Sequence, residues 1–573
     1  MGERRSIMPS PAVSGMTAYS VPRHGAPIDL WLDGNEGAAP PAELIERIAA
    51  AGTEAMRRYP DARPLEERIA SMIGIDPGRL IVTAGGDDAI YRALKSVLAP
   101  GRELILPEPT FEMFERYARL AGGEVARLSW AEGPYPVEDV IAGISERTAA
   151  IAVVSPNNPT GLVVSEDDLR RLSAAAPHAL IVVDLAYAEF ADRDLTGAAL
   201  ELPNAVVIRT LSKAWGLAGL RVGWAAGPAE VIGWMRAAGN PYAVSSASLA
   251  IAEERLSHRR SVGEFVSTVR SEVKRISRAI EDLGGRVLPS QANFVLAKFP
   301  DAAWVRDGLA GLGIAVRAFP GRERLEDSLR ITMPGNGRDF DRLLSAIETV
   351  LAPEAIIFDI DDTLADVTES YRRSIVETAR SFGAAASPAD VARLKAAGNS
   401  TNDWELTWRL LGESGIEASF EEVRRRFEAI YQGTGERRGL KENESLMVDS
   451  RMLERLSRRL RLGIVTGRPR SDAAAFLARE GIDRLFSAVV AMEDGPQKPD
   501  PVPVKAALSA LGASRAWMAG DTPDDMRAAR AAGVLPIGVV APSDDPEAAR
   551  AALTGAGAAR VFLKLSQIEE VVP

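Results

Sequence analysis

Short strand-like runs at residues 80–83, 103–106, 149–154, 179–183 and 205–208 each stop at a cluster of glycine or polar residues. Apolar runs this short, bounded by turn residues, read as buried strands. Between them lie stretches with helical spacing, such as residues 41–57 and 89–98. Strand and helix in alternation point to an α/β fold built on a doubly wound sheet. Such sheets bind ligands just past the carboxyl ends of their strands. The polar clusters stand there: Ala84-Gly-Gly-Asp-Asp88, Pro107-Glu-Pro-Thr-Phe111, Ser155-Pro-Asn-Asn-Pro-Thr-Gly161, Asp184 with Tyr187, and Thr210-Leu-Ser-Lys213.

These residues make one chemical set. Lys213 is an amine able to form a Schiff base and to move a proton. Asp184, at a strand end, can keep a ring nitrogen protonated, because an opposite charge favours the charged form. Asn158 and Tyr187 can bond a ring oxygen, and Phe111 can stack. Gly86 and Asp87 lie in the glycine turn before a helix, an arrangement whose free N–H groups favour an anion. Thr210, Ser212 and Arg221 add hydroxyls and a guanidinium suited to a phosphate. The cofactor that asks for all of these groups is pyridoxal 5'-phosphate.

Residue usage removes other chemistries. The chain has no cysteine and three histidines, so thiolate catalysis and histidine metal clusters are excluded. Its net charge of −11 argues against nucleic-acid binding. No apolar run is long enough to span a bilayer, and the first residues lack the apolar core of a secretory signal. No membrane partner is expected, and the expected location is cytoplasmic.

At 573 residues more than one core is required. Residues 1–27, rich in Pro, Gly and Ser, read as an arm. Residues 28–240 read as the large cofactor domain and 241–351 as a smaller α+β domain, opened by long charged helices over 249–283. At Pro353 the alternation restarts with a buried strand, 355–358, running into Asp359-Ile-Asp-Asp-Thr363. Residues 354–573 read as a second α/β domain with a helical insertion at 367–449. Further motifs follow strands in that domain: Val-Thr466-Gly-Arg, Gln-Lys498-Pro-Asp-Pro, and Gly520-Asp-Thr-Pro-Asp-Asp525.

The first region resembles fold-type I aminotransferases, and within them the histidinol-phosphate aminotransferase group, over residues 17–351. The resemblance is carried by Asn35-Glu36, Tyr59-Pro60, Gly85-Gly-Asp-Asp88, Pro109-Thr-Phe111, residues 155–161, Asp184 with Tyr187, residues 210–213, Arg221, Asn293, Val316-Arg317 and Leu329-Arg-Ile-Thr332. It implies that Lys213 carries the Schiff base and Asp184 faces the pyridine nitrogen. Tyr187 and Asn158 hold the ring oxygen. Thr210, Ser212, Arg221, Gly86 and Asp87 hold the phosphate. Tyr59 reaches the cofactor of a second subunit, which implies a homodimer. Arg330 grips a substrate carboxylate or phosphate, and Arg317 assists with a phosphorylated substrate. The chain has Asp184-Leu-Ala-Tyr187 where the group has Asp-Glu-Ala-Tyr, Asp33-Gly34 near a usual asparagine, and Phe111 at a common tyrosine.

The second region resembles the haloacid dehalogenase superfamily of phosphohydrolases, on its four motifs in order. That implies Asp359 as the nucleophile at phosphorus and Asp361 as the acid for the leaving oxygen and then the base for water. It implies Thr466 and Lys498 as holders of the phosphoryl oxygens. Asp359, Asp361, Asp521 and Asp525 are the expected carboxylates around Mg2+, with Asp524 competing with Asp525. The presence of Asp361 favours phosphatase over dehalogenase. Residues 367–449 would be a cap, and Asn399-Ser-Thr-Asn-Asp-Trp404 a patch to contact substrate.

The expectation is thus a bifunctional enzyme. Amino transfer from glutamate would convert imidazole acetol phosphate to histidinol phosphate, and hydrolysis would yield histidinol, as in histidine biosynthesis. Two alternatives stand beside it. One is the same pair of activities on another phosphorylated keto compound in secondary metabolism. The other is a chain in which one domain only binds or dimerises.

Overall fold

The clusters that end the apolar runs are brought to one edge by a seven-stranded sheet. Its strands are β1 (Leu80–Thr83), β2 (Glu103–Glu108), β3 (Glu124–Ser129), β4 (Thr148–Val154), β5 (Leu180–Asp184), β6 (Ala205–Thr210) and β7 (Gly223–Ala226). The order across the sheet is β1-β7-β6-β5-β4-β2-β3. Only β7 runs against the others. The central strands are apolar throughout because both faces are covered. Ile181, Val183, Val207 and Leu169 lie in the cluster on one face, and Val182, Val206, Ile90 and Phe114 in the cluster on the other.

The fold is described from a computed structural model, which covers residues 7–398, 402–435 and 437–573. Residues 7–27 carry no helix or strand, as a segment rich in Pro, Gly and Ser should. The helix expected over 89–98 begins earlier, at Gly85, and ends at Val97. Gly85, Gly86, Asp87 and Asp88 are therefore its first turn, with unbonded N–H groups. The long charged helices expected over 249–283 are Ser246–Arg255 and Arg259–Asp282, separated by Leu256-Ser257-His258.

The chain divides into two compact units that do not follow the expected boundaries. One comprises residues 1–22, 32–300 and 317–340, and the other residues 23–31, 301–316 and 341–573. The first holds the large sheet and the antiparallel strands β8 (Arg286–Val287), β9 (Phe294–Lys298) and β11 (Ser328–Thr332), with Arg317 and Ala318 of β10 (Ile314–Ala318) paired to β11.

The second unit is built on a six-stranded parallel sheet. Its strands are β12 (Ala355–Phe358), β13 (Arg461–Val465), β14 (Phe486–Val490), β15 (Ala516–Gly520), β16 (Leu535–Val539) and β17 (Arg560–Phe562), in the order β14-β13-β12-β15-β16-β17. Residues 301–316 and 341–351 join this unit for a packing reason. Trp304 meets Trp517 edge-on at 5.0 Å. The Trp517 indole N–H donates to Thr349 O at 2.7 Å. The insertion after β12 carries helices Arg373–Ser381, Pro388–Ala397, Asp403–Glu413 and Phe420–Tyr431. It is entered and left through a short ribbon in which Ala365 and Asp366 pair with Leu446 and Ser445.

Candidate active sites

The first site lies past the carboxyl ends of β4, β5 and β6. Lys213 Nζ donates to Gly34 O at 3.2 Å and sits 5.6 Å from the Tyr187 ring centre. The Tyr187 hydroxyl accepts from Asn35 Nδ2 at 2.9 Å. Asn35 is buried with φ of 57°, and its Oδ1 accepts from Thr332 at 2.8 Å. A non-glycine residue at positive φ is uncommon and marks a backbone held by its surroundings. Asp184 ends β5 in full burial and accepts one backbone bond, from Ala186 N–H at 3.0 Å. Burial pushes its carboxyl up to about 7. An acid so placed is poised to pair with a buried cation.

Arg330, on β11, is buried. Its Nη1 donates to Asn158 Oδ1 and its Nη2 to Asp33 O, both at 2.6 Å, while Nε has no partner among the described residues. Burial lowers its hold on the proton. Arg317 lies 3.5 Å from Glu112, which also pairs with Arg322. Glu112 and Arg322 were not singled out from the sequence.

The residues expected to form a phosphate cup come from three elements. Thr210 Oγ1 donates to Ser212 Oγ at 2.9 Å and accepts from Ser212 N–H at 3.1 Å. Arg221, at φ 53°, reaches Asp87 Oδ2 at 2.8 Å. Gly85, at φ 80°, leaves room for that guanidinium: a Cβ there would lie 2.7 Å from Arg221 Nη2. Hydroxyls, a guanidinium and a helix start make a cradle that fits a phosphorylated ring cofactor. Phe111 is half-buried against the apolar cluster of one sheet face. Tyr59 enters none of these contacts: it is 80 % exposed and stacked on Tyr242 at 4.5 Å.

The second site lies past β12, β13 and β15. Asp359 is fixed by its N–H donating to Ala519 O at 2.9 Å. Carboxylate oxygens of Asp359, Asp521 and Asp525 lie within 4.8 Å of one another. Lys498 Nζ stands 2.8 Å from Asp359 and 2.5 Å from Asp525. Burial pushes Asp359 up to about 7 against the pull of Lys498, and burial with Asp362 nearby drives Asp521 well above the carboxylate range. Three buried acids against one lysine leave excess negative charge, and an all-oxygen donor set fits a hard divalent cation. Thr466 is buried, and its Oγ1 accepts from Arg468 N–H at 3.2 Å.

One expectation is corrected here. The Asp361 side chain is not in the acid group: Arg468 holds it, with Nε and Nη2 at 2.7 and 2.6 Å from Oδ1. Of the neighbouring pair, Asp525 joins the group, whereas Asp524 pairs with Arg527 at 3.3 Å. Asn399, Ser400 and Thr401 of the anticipated substrate patch lie outside the described residues. Asn402 caps the next helix by accepting from Trp404 and Glu405 N–H. The insertion instead sends Lys395 toward the site, 3.6 Å from Asp362. Asp362 has φ of 54° and accepts from Arg372 Nε at 2.5 Å.

Residues 31–347, over half of the 573, match the family described as aminotransferase class I and II. The chain belongs to the class I and II aminotransferases. Residues 356–539 match haloacid dehalogenase-like hydrolase, so this aminotransferase carries a hydrolase domain and is an enzyme. A histidinol-phosphate aminotransferase of Thermoanaerobacter sp. (strain X514) is 33 % identical over 331 residues, which is 56 % of this chain and 92 % of that protein. One of Xanthomonas euvesicatoria is 35 % identical over 339 residues, covering 56 % and 90 %. An imidazoleglycerol-phosphate dehydratase of Phytophthora nicotianae is 45 % identical over 197 residues, 33 % of this chain and 44 % of that one. Among solved structures, histidinol-phosphate aminotransferase of Sinorhizobium meliloti in complex with pyridoxal-5'-phosphate covers 60 % of this chain and 97 % of its own, at 23 % identity and a TM-score of 0.54. That likeness is one of fold, a fold-type I α/β architecture. Among the described residues no helix is long and apolar enough to cross a membrane.

Proposed function

We propose that the chain is a bifunctional enzyme of histidine biosynthesis. Its first site transfers an amino group from glutamate to imidazole acetol phosphate, giving histidinol phosphate, and its second hydrolyses that phosphomonoester to histidinol. Pyridoxal 5'-phosphate in the first site would supply an electrophilic carbonyl and an electron sink. Lys213 Nζ would take and return the proton at the substrate carbon. Asp184 would hold a proton on the ring nitrogen, and Tyr187, oriented by Asn35, would bond the ring oxygen with Asn158. Thr210, Ser212, Arg221 and the N–H groups of Gly86 and Asp87 would hold the phosphate. Arg330, with its free Nε, would grip a substrate carboxylate or phosphate, and Arg317 would exchange Glu112 for a substrate phosphate.

In the second site Asp359, Asp521 and Asp525 would hold Mg2+, which would neutralise charge on the phosphoryl group. Asp359 would attack phosphorus, and Thr466 and Lys498 would hold the phosphoryl oxygens. Asp361 would give its proton to the leaving oxygen and then take one from water. Tyr59 and Tyr242, stacked and exposed, support a homodimer in which that face meets a second copy.

The observation that carries this reading is the pairing in one chain of a Lys213–Tyr187–Asp184 set with a buried group of three acids and Lys498. Purified protein given histidinol phosphate, 2-oxoglutarate and Mg2+ should both consume the amine and release phosphate. Lys213→Ala should abolish transfer and spare phosphate release, and Asp359→Asn should do the reverse. Absence of phosphate release from histidinol phosphate would refute this substrate assignment, and a panel of other phosphorylated amines would then locate the true one.

A further inference from the structure

Arg468 is a buried arginine on which neither the acid group nor the expected roles depend. It stands two residues beyond Thr466, at the end of β13, and is 1 % exposed. Its Nε and Nη2 both approach Asp361 Oδ1, at 2.7 and 2.6 Å. Its Nη1 donates to Glu444 Oε2 at 3.0 Å. The guanidinium lies 4.9 Å from the Tyr371 ring centre and 5.2 Å from that of Phe476. Two rings and two carboxylates therefore fix its plane.

The second carboxylate belongs to the insertion. Glu444 immediately precedes the Ser445–Leu446 strand of the hinge ribbon. Its Oε1 accepts from Ser370 Oγ at 3.1 Å and from the Tyr431 hydroxyl, on a cap helix, at 3.0 Å. A buried ion pair is weak evidence of a stabilising role, since well-packed apolar residues often do as well. An arginine that joins the proton-transfer acid to the cap hinge has a more specific use.

We propose that Arg468 is a positioning residue: it orients Asp361 for proton transfer to the leaving oxygen and, through Glu444, ties that orientation to the cap. The inference rests on the phosphatase reading above. With Oδ1 bonded by the Arg468 Nε–H, Oδ2 is the oxygen left for the leaving group. In the first step an Asp359 oxygen bonds to phosphorus while the bond from phosphorus to the leaving oxygen breaks. The electron pair stays on that oxygen, and the Asp361 proton joins it, giving the free alcohol.

The leaving group tests this. A 4-nitrophenolate departs without a proton, whereas an alkoxide does not. Values of kcat/KM, which report the steps through the first irreversible one, are compared for histidinol phosphate and 4-nitrophenyl phosphate. Arg468→Gln should lower the alkyl value at least about ten-fold more than the aryl value. Arg468→Lys, which keeps the charge but cannot fork, should show the same split to a smaller degree and serves if the Gln variant does not fold. Glu444→Gln, which loosens the tie to the cap, should show the split to a smaller degree than Arg468→Gln. An equal loss on both esters for the Arg468 variants would mean a structural role only and would overturn the proposal. A ratio unchanged from wild type in Glu444→Gln would overturn the tie to the cap. A wild type that hydrolyses neither ester would defeat the phosphatase reading itself, a result distinct from an equal loss.

Discussion

Asp184 is an acid placed where its charge is costly. Burial raises it to about 7 from an ordinary 3.8, so between these pH values the folded chain keeps a proton that the unfolded chain has lost. The sign follows: this group's contribution to stability falls as pH rises from about 4 to about 7, by at most about 4 kcal/mol, and is flat above. A protonated ring nitrogen would offset that cost, which is a physical reason for an acid to be buried there. Asp184→Asn keeps the bond from Ala186 N–H and removes the charge. Cofactor-free Asp184→Asn protein should melt several degrees above cofactor-free wild type at pH 8, with a much smaller difference at pH 5. Its transamination should fall at least about 100-fold. Equal melting at pH 8 would show that the carboxylate is not strained. Lys213, Asp184 and Tyr187 were legible in the sequence because each stands at a fixed offset from an apolar strand. Arg468, Glu444 and Glu112 were not. Their partners lie far along the chain, and a charged residue in a turn reads the same whether it faces water or a buried carboxylate.

The cofactor cup depends on how two elements meet. Gly223 opens β7, paired with Thr83 on one side and Thr210 on the other. A Cβ at Gly223 would lie 2.6 Å from Gly85 C, 2.8 Å from Arg209 O and 2.9 Å from Gly86 N. All three are backbone atoms, which cannot rotate away, so Gly223→Ala must push the first turn of the Gly85–Val97 helix outward. The N–H groups offered to the phosphate move with it. Pyridoxal phosphate should then bind about ten-fold or more weakly in a reconstitution titration, while phosphate release by the other site is unchanged. Unaltered affinity would place the phosphate elsewhere. Strand positions were readable from apolar runs, and the helix start was missed by four residues because two glycines precede it. Glycine is a poor helix former, and here its small size at the strand–helix contact outweighs propensity.

At the scale of the molecule, the boundary drawn from the chain at Pro353 is not where packing divides it. The sequence shows a restart of alternation there, and the 31–347 aminotransferase match ends close by. Alternation reports local structure, whereas the assignment of helix Ala302–Gly311 to the second unit rests on contacts made far along the chain. Arg560 donates to Asp307 Oδ2 from both Nε and Nη2, at 3.2 and 3.0 Å, and its guanidinium lies 5.1 Å from the Trp304 ring centre. A Cβ at Gly311 would lie 2.7 Å from that of Ala559. Trp304 and Trp517 are both buried. Truncating a buried tryptophan costs about 3–5 kcal/mol. Trp304→Ala, though within the aminotransferase match, should therefore lower the temperature at which phosphate release is half lost, and lower it more than that for amino transfer. A fragment of residues 354–573 should be weaker still, because it lacks Thr349 and leaves the Trp517 indole N–H without its acceptor, a loss of about 1–3 kcal/mol beyond the missing ring contact. Thermal inactivation of both activities in one preparation checks the ranking. If amino transfer fails first in Trp304→Ala, the helix belongs functionally with the aminotransferase, and the packing division does not govern stability.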